Sequence, residues 1–219
     1  MRGRLIVFEG LDASGKSTHA RMLVERLNKA GFSAVFLEFP KHGVGFGKVV
    51  DAYLKGDFGS KNSLSVEFIS LLYLCDFYES KKFIEDLLSS GVIVVLSRFF
   101  FSTLTYQVAL EPIDKDSVRQ WIMDASSRLP VPDLVLFLDV PFDFSQGFLQ
   151  KKDLDGGLAV DQHESDSVFL REVYEEYHQN LVRFGWRRIA CSEKNNLLRV
   201  DEISGLIWQE VVAFLNSKS

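Results

Sequence analysis

Apolar residues in this chain fall into short unbroken runs separated by longer stretches with helical spacing. The first run, Leu5-Ile6-Val7-Phe8, is β-branched and aromatic, and its continuity predicts a buried strand. Ala20, Met22, Leu23, Leu27 and Ala30 then share one face of a helix expected over Thr18 to Lys29, which Gly31 ends. Ser33 to Phe39 is the second expected strand, closing on Phe39-Pro40, and residues 41–46 form a glycine-containing loop before a short helix over Gly47 to Leu54. Leu64 to Ser89 is helical in spacing, yet between Phe68 and Tyr78 only Ser70 and Asp76 are polar. A helix apolar nearly all round is buried on several sides or serves a contact between copies of the chain.

Gly91 closes that helix, and Val92-Ile93-Val94-Val95-Leu96 reads as a strand covered on both faces. Ser102 is placed to cap a helix running towards Ala109, and Asp114 to Ser127 holds another. Asp133 to Asp139 is the fourth strand. Gln146 to Glu164 carries charges and Gly156-Gly157 without clear periodicity, which predicts a mobile loop. Val168 to Phe184 is a charged helix, Arg187 to Cys191 a fifth strand, and Asp201 to Leu215 a final helix. Strands alternating with helices predict an α/β fold: a doubly wound, five-stranded parallel sheet with helices on both faces and ligands at the strands' carboxyl ends.

Composition narrows the picture. The 219 residues show no internal repeat or linker, so residues 1–219 read as one domain with a large core, 47% hydrophobic and 25% charged. The formal net charge of −5, without a basic block, favours a small ligand over nucleic acid. Cys75 and Cys191 lack metal-site spacing and read as two reduced, buried thiols of a cytoplasmic protein. No apolar stretch is long enough to span a membrane.

The chemistry lies in Gly10-Leu11-Asp12-Ala13-Ser14-Gly15-Lys16-Ser17-Thr18, which matches G-x-x-x-x-G-K-[ST] at every fixed position. It sits between a strand and a helix, the setting in which successive backbone N–H groups and a helix N-terminus surround a phosphate. Lys16 is expected to reach the outer phosphates of a nucleotide and the Ser17 hydroxyl to ligate Mg²⁺.

Other blocks follow in a telling order: Phe8-Glu9-Gly10-Leu11-Asp12, Phe39-Pro40, Arg98 at a strand end, Ser102-Thr103-Leu104-Thr105-Tyr106-Gln107, and Pro132-Asp133-Leu134 with Leu138-Asp139-Val140. Together they resemble the thymidylate kinase family, over nearly the whole chain. The resemblance implies a P-loop kinase fold, transfer of the γ-phosphoryl of ATP to dTMP with Mg²⁺, and a homodimer through the long helix. It also implies roles for matching residues. Asp12 would accept a hydrogen bond from the sugar 3′-hydroxyl, against the rival of an exposed turn aspartate. Arg98 would grip the acceptor phosphate, against a structural ion pair with Asp76. Tyr73 would lie against the thymine ring, a role that competes evenly with plain core packing. Phe39, Pro40, Thr103 and Tyr106 would shape the same pocket.

The chain also departs from that family. It has Ser97-Arg98 where an Asp-Arg is usual, so an aspartate that helps organise Mg²⁺ and acceptor is replaced by a hydroxyl. Asp76-Phe77 and Asp161-Gln162-His163-Glu164 each lack an arginine, and Ala13 stands where some members have another. The candidate replacements are Lys151 and Lys152, catalytic if residues 146–164 close over the nucleotides, and Lys41; a Lys-Lys pair on a solvated loop is the alternative. His163 is expected to be exposed. Two other functions stay open: a kinase for another nucleoside monophosphate or a deoxynucleoside, and an ATP-binding protein that does not catalyse.

Overall fold

The computed structural model describes residues 2–154 and 161–217, with only the backbone of residues 152–154. Strand β1 (Leu5–Glu9) leads into helix α1 (Lys16–Lys29), then β2 (Ala34–Glu38) and α2 (Gly47–Lys55). A single 3₁₀ turn (Lys61–Ser63) precedes the long α3 (Val66–Ser89), β3 (Ile93–Ser97), α4 (Phe100–Leu110) and α5 (Lys115–Ser126). The chain continues through β4 (Leu134–Asp139), α6 (Phe142–Leu154), α7 (Ser167–Phe184) and β5 (Arg187–Ala190). A hairpin, β6 (Ser192–Glu193) and β7 (Asn196–Leu197), leads to α8 (Val200–Ser217).

The five main strands form one parallel sheet in the order β2-β3-β1-β4-β5. Side chains of a strand alternate between faces, so the continuous apolar runs feed two cores at once. Leu5, Val7, Val94, Leu96, Val135 and Phe137 pack with α3, α4, α5 and α7 on one face. Ile6, Phe8, Ile93, Val95, Leu134 and Leu136 pack with α1 and α8 on the other. This is the expected doubly wound architecture. The strand order reverses beside β1, which aims the glycine loop at the crevice beyond the carboxyl ends.

Several local expectations change. Ser102 is not a helix cap: α4 begins two residues earlier, after Phe99. The Phe99 amide donates to Glu9 Oε1 at 3.1 Å, and the Ser102 hydroxyl donates to Glu9 Oε2 at 2.5 Å. A carboxylate from β1 thus occupies both groups. Residues 146–154 are helical rather than loop, as the last part of α6. Among its described side chains α6 buries Phe142, Ser145 and Leu149, so residues 146–151 contribute a single buried residue and show no helical period. Residues 155–160 of the expected loop lie outside the described residues.

The β6–β7 hairpin is an addition, with Lys194 and Asn195 at φ 49° and 62°, the left-handed pair that suits a tight hairpin turn. Cys191 is buried, which pushes its thiol up to about 12. Cys75 is only partly buried, contrary to expectation. Helix α3 buries Ile69, Leu74, Phe77, Ile84 and Leu88 but exposes Phe68, Leu71 and Phe83.

Candidate active site

The glycine loop leaves β1 at Gly10 and enters α1 at Lys16, and two of its positions demand special backbone. Gly10 has φ 147°, and a Cβ there would stand 2.9 Å from the Leu138 carbonyl oxygen. Gly15 caps α1 in the left-handed region at φ 83°. Lys16 is buried, and its Nζ donates to the carbonyls of Gly10 at 3.0 Å and Leu11 at 2.5 Å. Burial and the neighbouring Arg98 charge pull its pKa down to about 7, against the pull of Asp12, Glu9 and Glu38. A bound anion favours the charged ammonium. On the far side of the loop, Ser145 Oγ donates to the Asp12 carbonyl at 2.7 Å and ties α6 to it.

Asp12 and Arg98 form an ion pair across the mouth of the sheet, and Tyr106 donates its hydroxyl proton to Asp12 Oδ2 at 2.5 Å. Burial opposes ionisation of Asp12, but Arg98, Lys16 and the Tyr106 hydroxyl hold its carboxyl well below the usual range. Asp12 is only partly exposed, and Arg98 pairs with Asp12 rather than Asp76. Asp76 instead accepts from the Lys41 amide at 2.9 Å. Arg98 sits at φ 67°, a strained conformation for a side chain of its size. Its Nη1 donates to Ser102 Oγ at 3.0 Å, so the network runs on to Glu9. Burial raises the pKa of Glu9 despite hydrogen bonds from Ser102 and Phe99 and the charges of Arg98 and Lys16.

These groups line a cleft of about 960 Å³. Phe39, Pro40, Tyr73, Phe77, Thr103 and Tyr106 form its inner wall. Phe39 meets Phe77 edge to face at 4.9 Å between ring centroids. Tyr73 is only partly buried, so it faces the cleft while packing on both neighbouring clusters. Three buried polar atoms on this wall lack a hydrogen-bond partner: Thr103 Oγ1, Gln107 Nε2 and Gln107 Oε1. Gln107 carries no sequence-based role beyond its place in the Ser102 to Gln107 block, and only its burial beside the cleft marks it.

The same cleft holds a cluster of oxygens from Ser17, Glu38 and Ser97. Ser17 Oγ donates to Glu38 and lies 3.0 Å from Ser97 Oγ. Among the described residues no three His, Cys, Asp or Glu side chains gather to hold a metal. A hard cation such as Mg²⁺ does not need such a cage, because it commonly takes one or two protein oxygens and fills its shell with phosphate and water. The oxygen-only set at Ser17 and Glu38 fits it.

Asp161 to Ser165 closes another side of the cleft. Asp161 Oδ1 accepts from the amides of His163 at 2.7 Å and Glu164 at 2.8 Å. Gln162 bridges the Lys61 amide at 2.7 Å and the Tyr53 carbonyl at 2.5 Å. His163 is buried, not exposed as expected. Its Nε2 lies 2.8 Å from the Tyr53 hydroxyl, and burial lowers its pKa to about 4. Of the lysine candidates, Lys41 pairs with Glu79 at 3.6 Å. Lys151 is exposed on α6 and does not line the cleft. The Lys152 side chain lies outside the described residues.

A family model described as Thymidylate kinase matches residues 8–199. The chain is 37% identical to the thymidylate kinase of Plasmodium falciparum over 210 residues, 96% of this chain and 90% of that one. It is 38% identical to the human thymidylate kinase over 202 residues, 91% and 88% of the two chains. A solved thymidylate kinase from Candida albicans superimposes with a TM-score of 0.77 at 25% identity, covering 98% of this chain and 93% of its own.

Proposed function

The chain belongs to the thymidylate kinase family of nucleoside monophosphate kinases, and from that membership we propose that it transfers the γ-phosphoryl group of ATP to dTMP. The observation that carries the acceptor assignment is the Asp12–Arg98–Tyr106 cluster, which shares one cleft with Lys16 of the glycine loop. Arg98 and Tyr106 each take one lone pair of the Asp12 carboxylate, and its oxygens keep further lone pairs that a sugar hydroxyl can donate to.

In this reading the loop amides from Leu11 to Thr18 and the Lys16 ammonium hold the phosphates of ATP, and the Ser17 hydroxyl would help to hold Mg²⁺. The cation, when bound, neutralises charge on the transferring phosphate oxygens. Asp12 accepts from the 3′-hydroxyl of dTMP while Arg98 and Tyr106 keep it ionised and aimed. Arg98 brings a permanent positive charge to the acceptor phosphate. An oxygen of that phosphate attacks the γ-phosphorus as the bond to the bridging oxygen of ADP breaks, so no protein nucleophile takes part. Phe39, Pro40 and Tyr73 pack the base, and the unpartnered atoms of Thr103 and Gln107 offer both a donor and acceptors to its polar edge.

Lys151 and Lys152, at the end of the helix anchored to the loop through Ser145, would supply charge in place of the arginines the sequence lacks. The exposed apolar residues of α3 support an isologous homodimer. We place the enzyme, a single domain with a net charge of −5, in the cytoplasm with small nucleotides as its partners. Among the described residues no helix is long and apolar enough to cross a membrane. Assay of the purified protein with ATP, Mg²⁺ and each nucleoside monophosphate in turn tests the reading. Preference for dTMP is expected, and transfer to another acceptor only, or ATP binding without transfer, overturns it.

A further inference from the structure

Three positions meet at the carboxyl end of the sheet beside the glycine loop. Glu38, the last residue of β2, is the register partner of Ser97, the last residue of β3, and Ser97 is in turn the partner of Phe8 in β1. Register partners in a parallel pair project from the same face, on strands about 4.8 Å apart. That face is the α1 side, because Phe8 and Val95 lie in the core beneath α1. From α1 the Ser17 hydroxyl donates to Glu38 and lies 3.0 Å from Ser97 Oγ.

Of the other carboxylates that share the cleft or its floor, Asp161 is anchored through Oδ1 to the His163 and Glu164 amides. Asp12 is held by Arg98 and Tyr106, and buried Glu9 by Phe99, Ser102 and Tyr177. Ser97, where the resemblance places an aspartate, brings no charge of its own.

We propose that Glu38 is the carboxylate that completes the divalent-cation site with Ser17, the negative charge having moved one strand sideways from position 97 to position 38. This inference rests on the kinase reading above. The plain alternative is a structural ion pair, since Glu38 Oε2 also meets Arg21 at 3.0 Å. That pair is largely exposed, and such pairs contribute little. Its geometry leaves Oε1 turned to Ser17, the residue the loop motif assigns to the metal.

The test measures Mn²⁺ binding to the protein–ATP complex by electron paramagnetic resonance, with ATP binding in chelator measured in parallel. Glu38→Gln is expected to weaken Mn²⁺ binding about 10- to 100-fold, the range seen when a supporting carboxylate is lost, and to leave metal-free ATP binding unchanged. Ser97→Asp added to Glu38→Gln is expected to restore most of the Mn²⁺ affinity, and Arg21→Ala to leave it unaltered. Unchanged Mn²⁺ affinity in Glu38→Gln overturns the inference. So does an equal loss in Arg21→Ala, which marks the ion pair as the real role. Failure of the unmodified protein to bind ATP at all overturns the kinase reading itself, and that result is read before any variant is compared.

Discussion

Tyr106 and Asp12 are 94 positions apart in sequence, yet the tyrosine hydroxyl donates to the aspartate at 2.5 Å while Arg98 holds its other oxygen. The loop aspartate is therefore fixed before any nucleotide arrives. A hydrogen bond to a charged group contributes roughly 1.5–3 kcal/mol. A 3′-deoxy analogue of dTMP is expected to lose a comparable amount in kcat/KM, and Asp12→Asn to narrow the gap between the two substrates. Equal use of both by the unmodified enzyme rules out this role for Asp12.

Lys16→Ala is expected to lower kcat by about 10²–10³-fold, the usual cost of losing one preorganised donor to developing charge. The fold should persist, because among the described residues Lys16 Nζ makes its hydrogen bonds within its own loop. Steady-state kinetics beside a thermal melt checks this. Near-normal turnover in a folded Lys16→Ala protein contradicts the assignment.

His163 gives the protein a calculable acid sensitivity. Burial, with Lys61 and Arg98 nearby, lowers its folded pKa to about 4, against Asp12 and Asp166. Between that value and the ordinary 6.5, the unfolded chain binds a proton that the folded one does not, so stability rises with pH across this window and is lost as pH falls through it. The full swing is about 3 kcal/mol. Asp161, raised by burial to about 6, acts in the opposite sense. His163→Phe, which fits among Tyr53, Tyr106 and Phe169, removes only the histidine's share. Urea unfolding at pH 7 and pH 4.5 should show a smaller difference in the variant, and an identical difference in both proteins refutes the account.

Replacing Lys151 and Lys152 together with alanine is expected to reduce kcat strongly while changing ATP affinity little. A positive charge delivered to the transferring group can be worth about 10³–10⁵ in rate. Single-turnover kinetics separates the two effects. Full activity in the double variant means that another group supplies the charge.

Leu71→Glu combined with Phe83→Glu is expected to convert a dimer into a monomer in light scattering at micromolar concentration, since both side chains stand exposed on α3. A fully active monomer of the unmodified chain counts against the interface.

The sequence by itself determined the alternation of five strands and their helices and the glycine loop, and it named Asp12, Phe39, Pro40, Tyr73, Arg98, Thr103 and Tyr106, which line one cleft. Those features are local: strand runs, helical spacing and a contiguous motif need no partner to be recognised. It misjudged three places where a distant group overrides the local signal. Ser102 has the composition of a cap, but a carboxylate from β1 claims its hydroxyl. Gln146 to Leu154 lacks visible period because Leu149 alone of its described side chains is buried, with the anchor of the helix, Ser145 on the Asp12 carbonyl, lying just before it. His163 sits among charged residues yet is buried under Tyr53, Tyr106 and Phe169.

Only the tertiary structure decided which charges meet. The sequence offered Asp76 as an ion-pair partner for Arg98, and the sheet brings Arg98 to Asp12 instead while Asp76 accepts from the Lys41 amide. Glu38 carries no motif, and it reaches Ser17 because the parallel register sets β2 and β3 side by side at their ends. Pairing between residues far apart along the chain depends on strand order and register, which are fixed by burying both faces of the sheet at once rather than by any one segment.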